Sequence, residues 1–276
     1  MSSQTLNCIE TYIDKDQNYY GSFIIEPLES GQGITLGNAL RRTLLSDLSG
    51  FAITGVRINN IKHEFEALEG VREDVLEILL NLKEIIFKSS FFHQKNQTSF
   101  KGKGFLHIKG PSVINAGMFF LPKNSLKIMN PTQYICTIVS EAELYLEIDI
   151  ESGFGYQLID ENKKQTTLEK FQVTKPSTLR IDSIFIPIKN VNYKIKLIHD
   201  TKGNIKESLS FEVLTNGSIT PKRSLQESLK ILLNLFYPLF LTSNVLPISS
   251  KLTKYAAQEG IQQKDKNKDY INNKLK

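Results

Sequence analysis

Leucines four residues apart mark the first strongly patterned stretch of the chain. Leu36, Leu40, Leu44 and Leu48 fall on one stripe, which predicts a helix over 35–49. Thr35 is placed to cap its N-terminus, and Gly50 to end it in the left-handed conformation. Gly37 lies in the first turn, where it costs about 1 kcal/mol relative to Ala. A cost of that kind implies close packing, such as another backbone passing nearby. Leu45 lies off the stripe and shares a face with Asn38 and Arg42. An arginine beside an exposed leucine suits a protein–protein surface. A single amphipathic helix with solvated arginines is the plainer alternative.

Beyond this helix the period changes repeatedly. Residues 1–17 are polar and read as frayed or edge-associated. Residues 19–26 (YYGSFIIE) read as a strand, after which Pro27 turns the chain. Residues 51–61 follow as a strand with Gly55 as a kink or bulge. Val71, Val75, Ile78, Leu79, Leu82 and Ile86 then predict a second helix. Residues 87–176 read as short strands at 105–109, 118–121, 134–139 and 144–151, forming a β-rich module that ends at Lys175–Pro176. A strand at 179–186 precedes 191–199, where Val191, Tyr193, Ile195 and Leu197 alternate with polar residues, so one face is expected to be buried. A Gly203–Asn204 turn leads into 208–214, giving a hairpin. Pro221 opens a last helix. Leu225, Leu229, Leu232, Leu233 and Phe236 form one stripe on it, and Ile231, Leu235 and Leu239 a second. A helix apolar on two sides is buried or shared with a partner. Pro238 is expected to kink or end it, and the polar tail after Thr242 reads as disordered.

Composition narrows the class. Of 276 residues, 40% are hydrophobic and 23% charged, as in soluble globular proteins. Cys8 and Cys136 are the only cysteines, too few for a disulfide framework and suited to a reducing compartment. The N-terminus has no apolar signal core. The run from Ile231 to Leu241 is broken by Asn234 and Pro238 and is too short to cross a bilayer. The net charge of +5 sits mostly in the tail, where seven lysines after residue 250 face three acids. The nearly neutral body has no excess of charge for gripping phosphates.

Candidate chemistry is sparse. Glu147, Asp149 and Glu151 lie on one face of a strand and could hold magnesium. They are spread over about 7 Å, and a solvated face opposite Lys101, Lys103 or Lys109 is the plainer reading. Gly31-Gln32-Gly33 with Gly37 lacks the spacing of a dinucleotide loop. His63, His93, His107 and His199 are scattered without metal-ligand spacing. No triad or nucleophile motif is present, so no catalytic residue, metal site or cofactor is expected.

GITLGNALRRTLLSDLSG (33–50) resembles the signature helix of the α subunit of bacterial-type multisubunit DNA-directed RNA polymerase. HEFEALEGVREDVLEILLNLKEI (63–85), ESGFGY (151–156), IDSIFIPIKNVNYKI (181–195) and FEVLTNGSITP (211–221) are similar to that family in the same order. The resemblance implies an α+β fold of two nested domains, an α/β dimerisation domain interrupted by an inserted β-rich domain. Residues 1–53 with 177–240 would form the first domain, 54–176 the insertion contacting large subunits, and 241–276 the basic tail. It implies a homodimer through Leu36, Leu40, Leu44, Leu45, Leu229, Leu232, Leu233 and Phe236. It further implies docking of the β and β′ (β″) subunits through Asn38, Arg41, Arg42, His63, Glu64, Glu69 and Gly70, with strands near Val173 to Ile195 touching β′. Sigma factor and DNA would be reached only through the assembled enzyme, and no membrane is involved. The implied role is a non-catalytic scaffold within a nucleotidyltransferase. Bacterial members carry a separate C-terminal DNA-binding domain, for which the tail here reads as too short and too polar. With the Lys, Asn and Ile bias and no visible transit peptide, this suggests a plastid-encoded subunit, with a bacterial cytoplasm as the alternative. Two other readings stand beside it: a free-standing nucleic-acid-binding dimer using its lysine-rich tail, and a magnesium-dependent enzyme using Glu147, Asp149 and Glu151.

Overall fold

A computed structural model describes residues 4–15, 17–59, 61–89, 100–121, 126–158, 178–199 and 203–242. The elements run β1 (Thr5–Ile13), β2 (Tyr19–Leu28), α1 (Gln32–Ser46), β3 (Ser49–Ile58), α2 (Val75–Lys83), β4 (Phe87–Ser89), β5 (Lys101–Lys109) and β6 (Ser112–Asn115). After a 3-10 turn at Ala116–Met118 come β7 (Leu126–Ile128), β8 (Tyr134–Ile138), β9 (Glu143–Phe154) and β10 (Tyr156–Gln157). The chain then continues through β11 (Leu179–Arg180), β12 (Ser183–Ile184), β13 (Ile188–His199), β14 (Ile205–Thr215) and α3 (Pro221–Thr242). Contacts divide it into two units, Met1–Leu232 and Leu233–Lys276.

Two antiparallel four-stranded sheets organise the first unit, ordered β1-β2-β14-β13 and β11-β3-β9-β5. Each has its own core. One gathers Phe23 and Ile25 of β2, Leu40 and Leu44 of α1, Val191 of β13, Phe211 and Val213 of β14 and Leu225 of α3. The other gathers Val56 and Ile58 of β3, Val75, Ile78 and Leu82 of α2, Leu106 of β5, Ile138 of β8, and Leu144, Leu146 and Ile148 of β9. The α/β core therefore draws on both ends of the described chain, and the β-rich domain is inserted between them.

Most predicted elements are present, and the differences around α1 and Gly50 trace to residues distant in sequence. The helix expected at 35 starts at Gln32, behind Gly31 at φ 85°. Its first-turn amides are held by Glu207, whose Oε1 accepts the Gly31 N–H and Oε2 the Gly33 N–H, both at 2.8 Å. Thr35 is not the cap; its hydroxyl donates to the Gly31 carbonyl at 3.1 Å. Gly37 packs against a side chain rather than a backbone, since a Cβ there would lie 2.8 Å from the Tyr193 ring. The helix ends at Ser46, and Gly50 lies in β3, not in a left-handed cap. A Cβ at position 50 would stand 1.9 Å from the Phe185 carbonyl oxygen, so close backbone approach explains this glycine.

Pro27 remains within β2, where the register against β14 slips between Glu207 and Leu209. Gly55 sits at a slip between β3 and β9, as expected of a bulge. Residues 5–13 form an exposed edge strand. The strand expected at 118–121 begins instead in the 3-10 turn and is reduced to a bridge between Phe120 and Phe105. The strand expected at 179–186 is two short pieces, β11 and β12. The 191–199 hairpin is present, but its buried face fades: Val191 is buried, Tyr193 half-buried, and Ile195 and Leu197 are exposed. α2 ends at Lys83, before Ile86. Pro238 does not end α3, which continues to Thr242. The tail from 243 lies outside the described residues.

Gly37→Ala is expected to lower stability by about 1–2 kcal/mol, because overpacking against Tyr193 outweighs the gain in helix propensity. Urea unfolding checks this, and adding Tyr193→Leu should recover part of the loss.

Candidate functional site

α1 separates two kinds of side chain. Leu40 and Leu44 are wholly buried in the chain's own core, so they lie beneath the surface rather than on it. Leu36 and Leu45 are half-buried and pack against the same core. The leucine expected to be exposed beside Arg42 therefore belongs mainly to the interior. On the outer face Asn38 is exposed, and its Oδ1 accepts the Tyr193 hydroxyl at 2.7 Å. Arg41 and Arg42 are exposed and form no ion pair or side-chain hydrogen bond with a described residue. Glu207 and Tyr193, which set the pose of α1, had one legible signal. Glu207 shares the inward parity of Leu209, Phe211 and Val213 along β14, an unusual place for a carboxylate.

On α3 the candidate residues divide by position. Leu232 is half-buried against the core. Leu229 (37%), Leu233 (55%) and Phe236 (59%) are exposed, as are Leu235, Leu239 and Leu241. Exposed apolar side chains in this number along one helix mark an interaction surface.

The loop from 61 to 74 carries the remaining candidates. His63 and Glu69 are exposed, and Glu64 and Gly70 half-buried. Glu66 Oε1 accepts the N–H groups of Lys62 and His63 at 3.1 and 3.0 Å, folding the segment into a turn. Gly70 has φ +80°, and a Cβ there would lie 2.1 Å from Ser140 Oγ, so only glycine fits. Its carbonyl accepts the Val139 N–H at 2.9 Å, and the Arg72 N–H donates to the Thr137 carbonyl at 3.0 Å. Buried Glu73 completes the anchor. It accepts hydrogen bonds from Arg72 Nε at 2.9 Å, the Thr137 N–H at 2.7 Å and the Tyr134 hydroxyl.

Burial pushes the Glu73 carboxyl up, but the hydrogen bonds from Tyr134, Thr137 and Arg72 outweigh it and hold it below the usual carboxylate range. Neighbouring Cys136 is pushed up to about 12, mainly by burial and further by Glu73. Such a thiol is inert.

The β9 carboxylates are engaged in the way the plainer reading expected. Glu147 pairs with Lys103 at 2.7 Å and Arg57 at 2.6 Å, Asp149 with Arg57 at 3.0 Å, and Glu151 with Lys101 at 3.0 Å. Arg57, from β3, was not foreseen. Among the described residues, no three His, Cys, Asp or Glu are grouped to hold a metal, and no helix is long and apolar enough to cross a membrane. His107 and His199 are exposed, and His93 lies outside the described residues.

Because the folded-state pKa of Glu73 lies below the unfolded value of about 4.3, this group stabilises the fold above that pH. Its contribution is lost as pH falls through the folded value. Glu73→Gln should cost about 1–3 kcal/mol at pH 7, with the gap to the parent narrowing below about pH 4. Chemical denaturation across that range measures it.

Comparison with known proteins gives this geometry a context. Residues 56–186 match the family described as the RNA polymerase Rpb3/RpoA insert domain. The chain is 42% identical to the DNA-directed RNA polymerase subunit alpha of Pyropia yezoensis over 236 residues, covering 86% of this chain and 71% of the relative. It is 44% identical to that of Rhodomonas salina over 239 residues, with 87% and 71% covered. With the subunit from Trichormus variabilis it shares 42% identity over 239 residues, again covering 87% and 71%. With 42–44% identity over 86–87% of its length, the chain belongs to the family of DNA-directed RNA polymerase α subunits.

Proposed function

We propose that this chain is the assembly subunit of an RNA polymerase core and takes no direct part in nucleotide addition. Two copies associate through α1 and α3, and the dimer then captures the β and β′ (β″) subunits. Arg41 and Arg42, exposed and without a partner among the described residues, on a helix whose other side is locked into the core, carry this reading. A guanidinium in that position holds a partner carboxylate bidentately, which lysine cannot do. Leu229, Leu233 and Phe236 supply the dimer contact, together with Leu36, Leu45 and Leu232 at its edge; Leu40 and Leu44 support it from beneath. Residues 1–53 with 177–240 serve dimerisation, and 54–176 reach the large subunits. His63, Glu64, Glu69 and Gly70 belong to the β-facing loop. Sigma factor and promoter DNA are met only through the assembled enzyme. A plastid setting fits relatives from algae such as Pyropia and Rhodomonas; the Trichormus relative keeps a bacterial cytoplasm as the alternative.

Two chemically identical copies must present different surfaces to two different large subunits, so assembly breaks the symmetry of the dimer. Sedimentation should show a dimer at micromolar concentration, and Leu233→Glu with Phe236→Glu should convert it to a monomer. Arg42→Ala should leave the dimer intact and weaken capture of the β subunit in a pull-down about 10-fold or more. Undiminished capture would remove Arg42 from the interface.

A further inference from the structure

Phe65 is the most exposed large apolar side chain among the described residues, at 82%. Single exposed apolar residues are ordinary, but this one stands on an unusually well-fixed support. The Glu66 carboxylate clamps the N–H groups of Lys62 and His63 on one side of the ring. On the other side Leu68 is buried, and Gly70 wedges against Ser140 and Ala142. The backbone that carries the ring is therefore ordered before any partner arrives. An aromatic displayed on a pre-ordered turn gives up little entropy on binding, which is the profile of an interface hot spot.

The surrounding sequence has a sign. Within residues 62–69 Glu64, Glu66 and Glu69 outnumber Lys62, and Arg72 beyond them is already paired with Glu73. We propose that Phe65 is the anchor of this loop on the β subunit, entering an apolar pocket with a basic rim. Glu66 is the positioning residue that holds the ring in its presented pose. This rests on the docking reading above and adds to it the anchoring ring and the chemistry of the surface that receives it.

The chain contains no tryptophan, so Phe65→Trp creates a single indole reporter. Its emission is recorded with the full chain and purified β subunit, as the difference from the same mixture containing the parent chain. The free variant should emit as a water-exposed indole, and the emission should move to shorter wavelength as the complex forms. Phe65→Ala should weaken capture by about 30-fold or more while keeping the parent's unfolding midpoint and dimer. In the Phe65→Trp background, Glu66→Ala should weaken capture about 10-fold yet reach the same emission at saturation. Glu66→Gln, whose amide oxygen still accepts both N–H groups, should restore affinity. A co-eluting complex in which the indole still emits as if in water, or normal capture by Phe65→Ala, overturns the proposal and leaves the docking reading standing. Failure of the parent chain to capture the β subunit at all overturns both.

Discussion

The Glu207 carboxylate bridges two elements that are far apart in sequence, taking one backbone N–H from each of Gly31 and Gly33 at the start of α1. Charge-assisted bonds to first-turn amides also meet the positive end of the helix dipole. The pose of the helix on its sheet depends on this contact. Without a side chain at Gly33, the carboxylate can approach; a Cβ there would lie 2.7 Å from Glu207 Oε2. Further along, the ring of Tyr193 fills the space above Gly37, and its hydroxyl reaches Asn38. These contacts set the rotation of α1 about its own axis. Leu40 and Leu44 then point inward, and Arg41 and Arg42 stand exposed on the outer face.

The inserted domain uses the same economy of glycine and buried carboxylate. Gly70 lets the loop backbone pass against Ser140, and Glu73 gathers three donors from Arg72, Tyr134 and Thr137. A carboxylate with its acceptor sites filled in this way stabilises the fold while ionised and ties the loop to β8. In both domains a rigid support therefore stands directly behind a surface segment whose side chains have few partners of their own. A surface prepared in this way suits assembly, because much of the ordering cost has been met during folding.

Much of this was legible in the residues. The leucine period announced α1, the alternation at 191–199 and 208–214 announced the β13–β14 hairpin, and Gly55 announced its bulge. The lysines facing the β9 carboxylates were also foreseen, because cross-strand neighbours on an outer sheet face tend toward opposite charge. Where the reading slipped, a long-range contact was responsible. Gly50 read as a helix terminator, but the Phe185 carbonyl, 135 positions later, requires the missing Cβ. Thr35 read as the cap, and a carboxylate from β14 took that role.

Sequence by itself determined the types of most elements, the family and the two-sided apolar character of the last helix, since all of these are carried by local period and by contiguous blocks of residues. Only the tertiary structure decided which leucines are interior and which remain at the surface. Leu40 and Leu233 are equally apolar in the one-dimensional pattern, yet one is sealed by β13 and β14 while the other stays exposed. Burial depends on what arrives from distant parts of the chain, and periodicity records the direction of a side chain without naming the neighbour that will cover it.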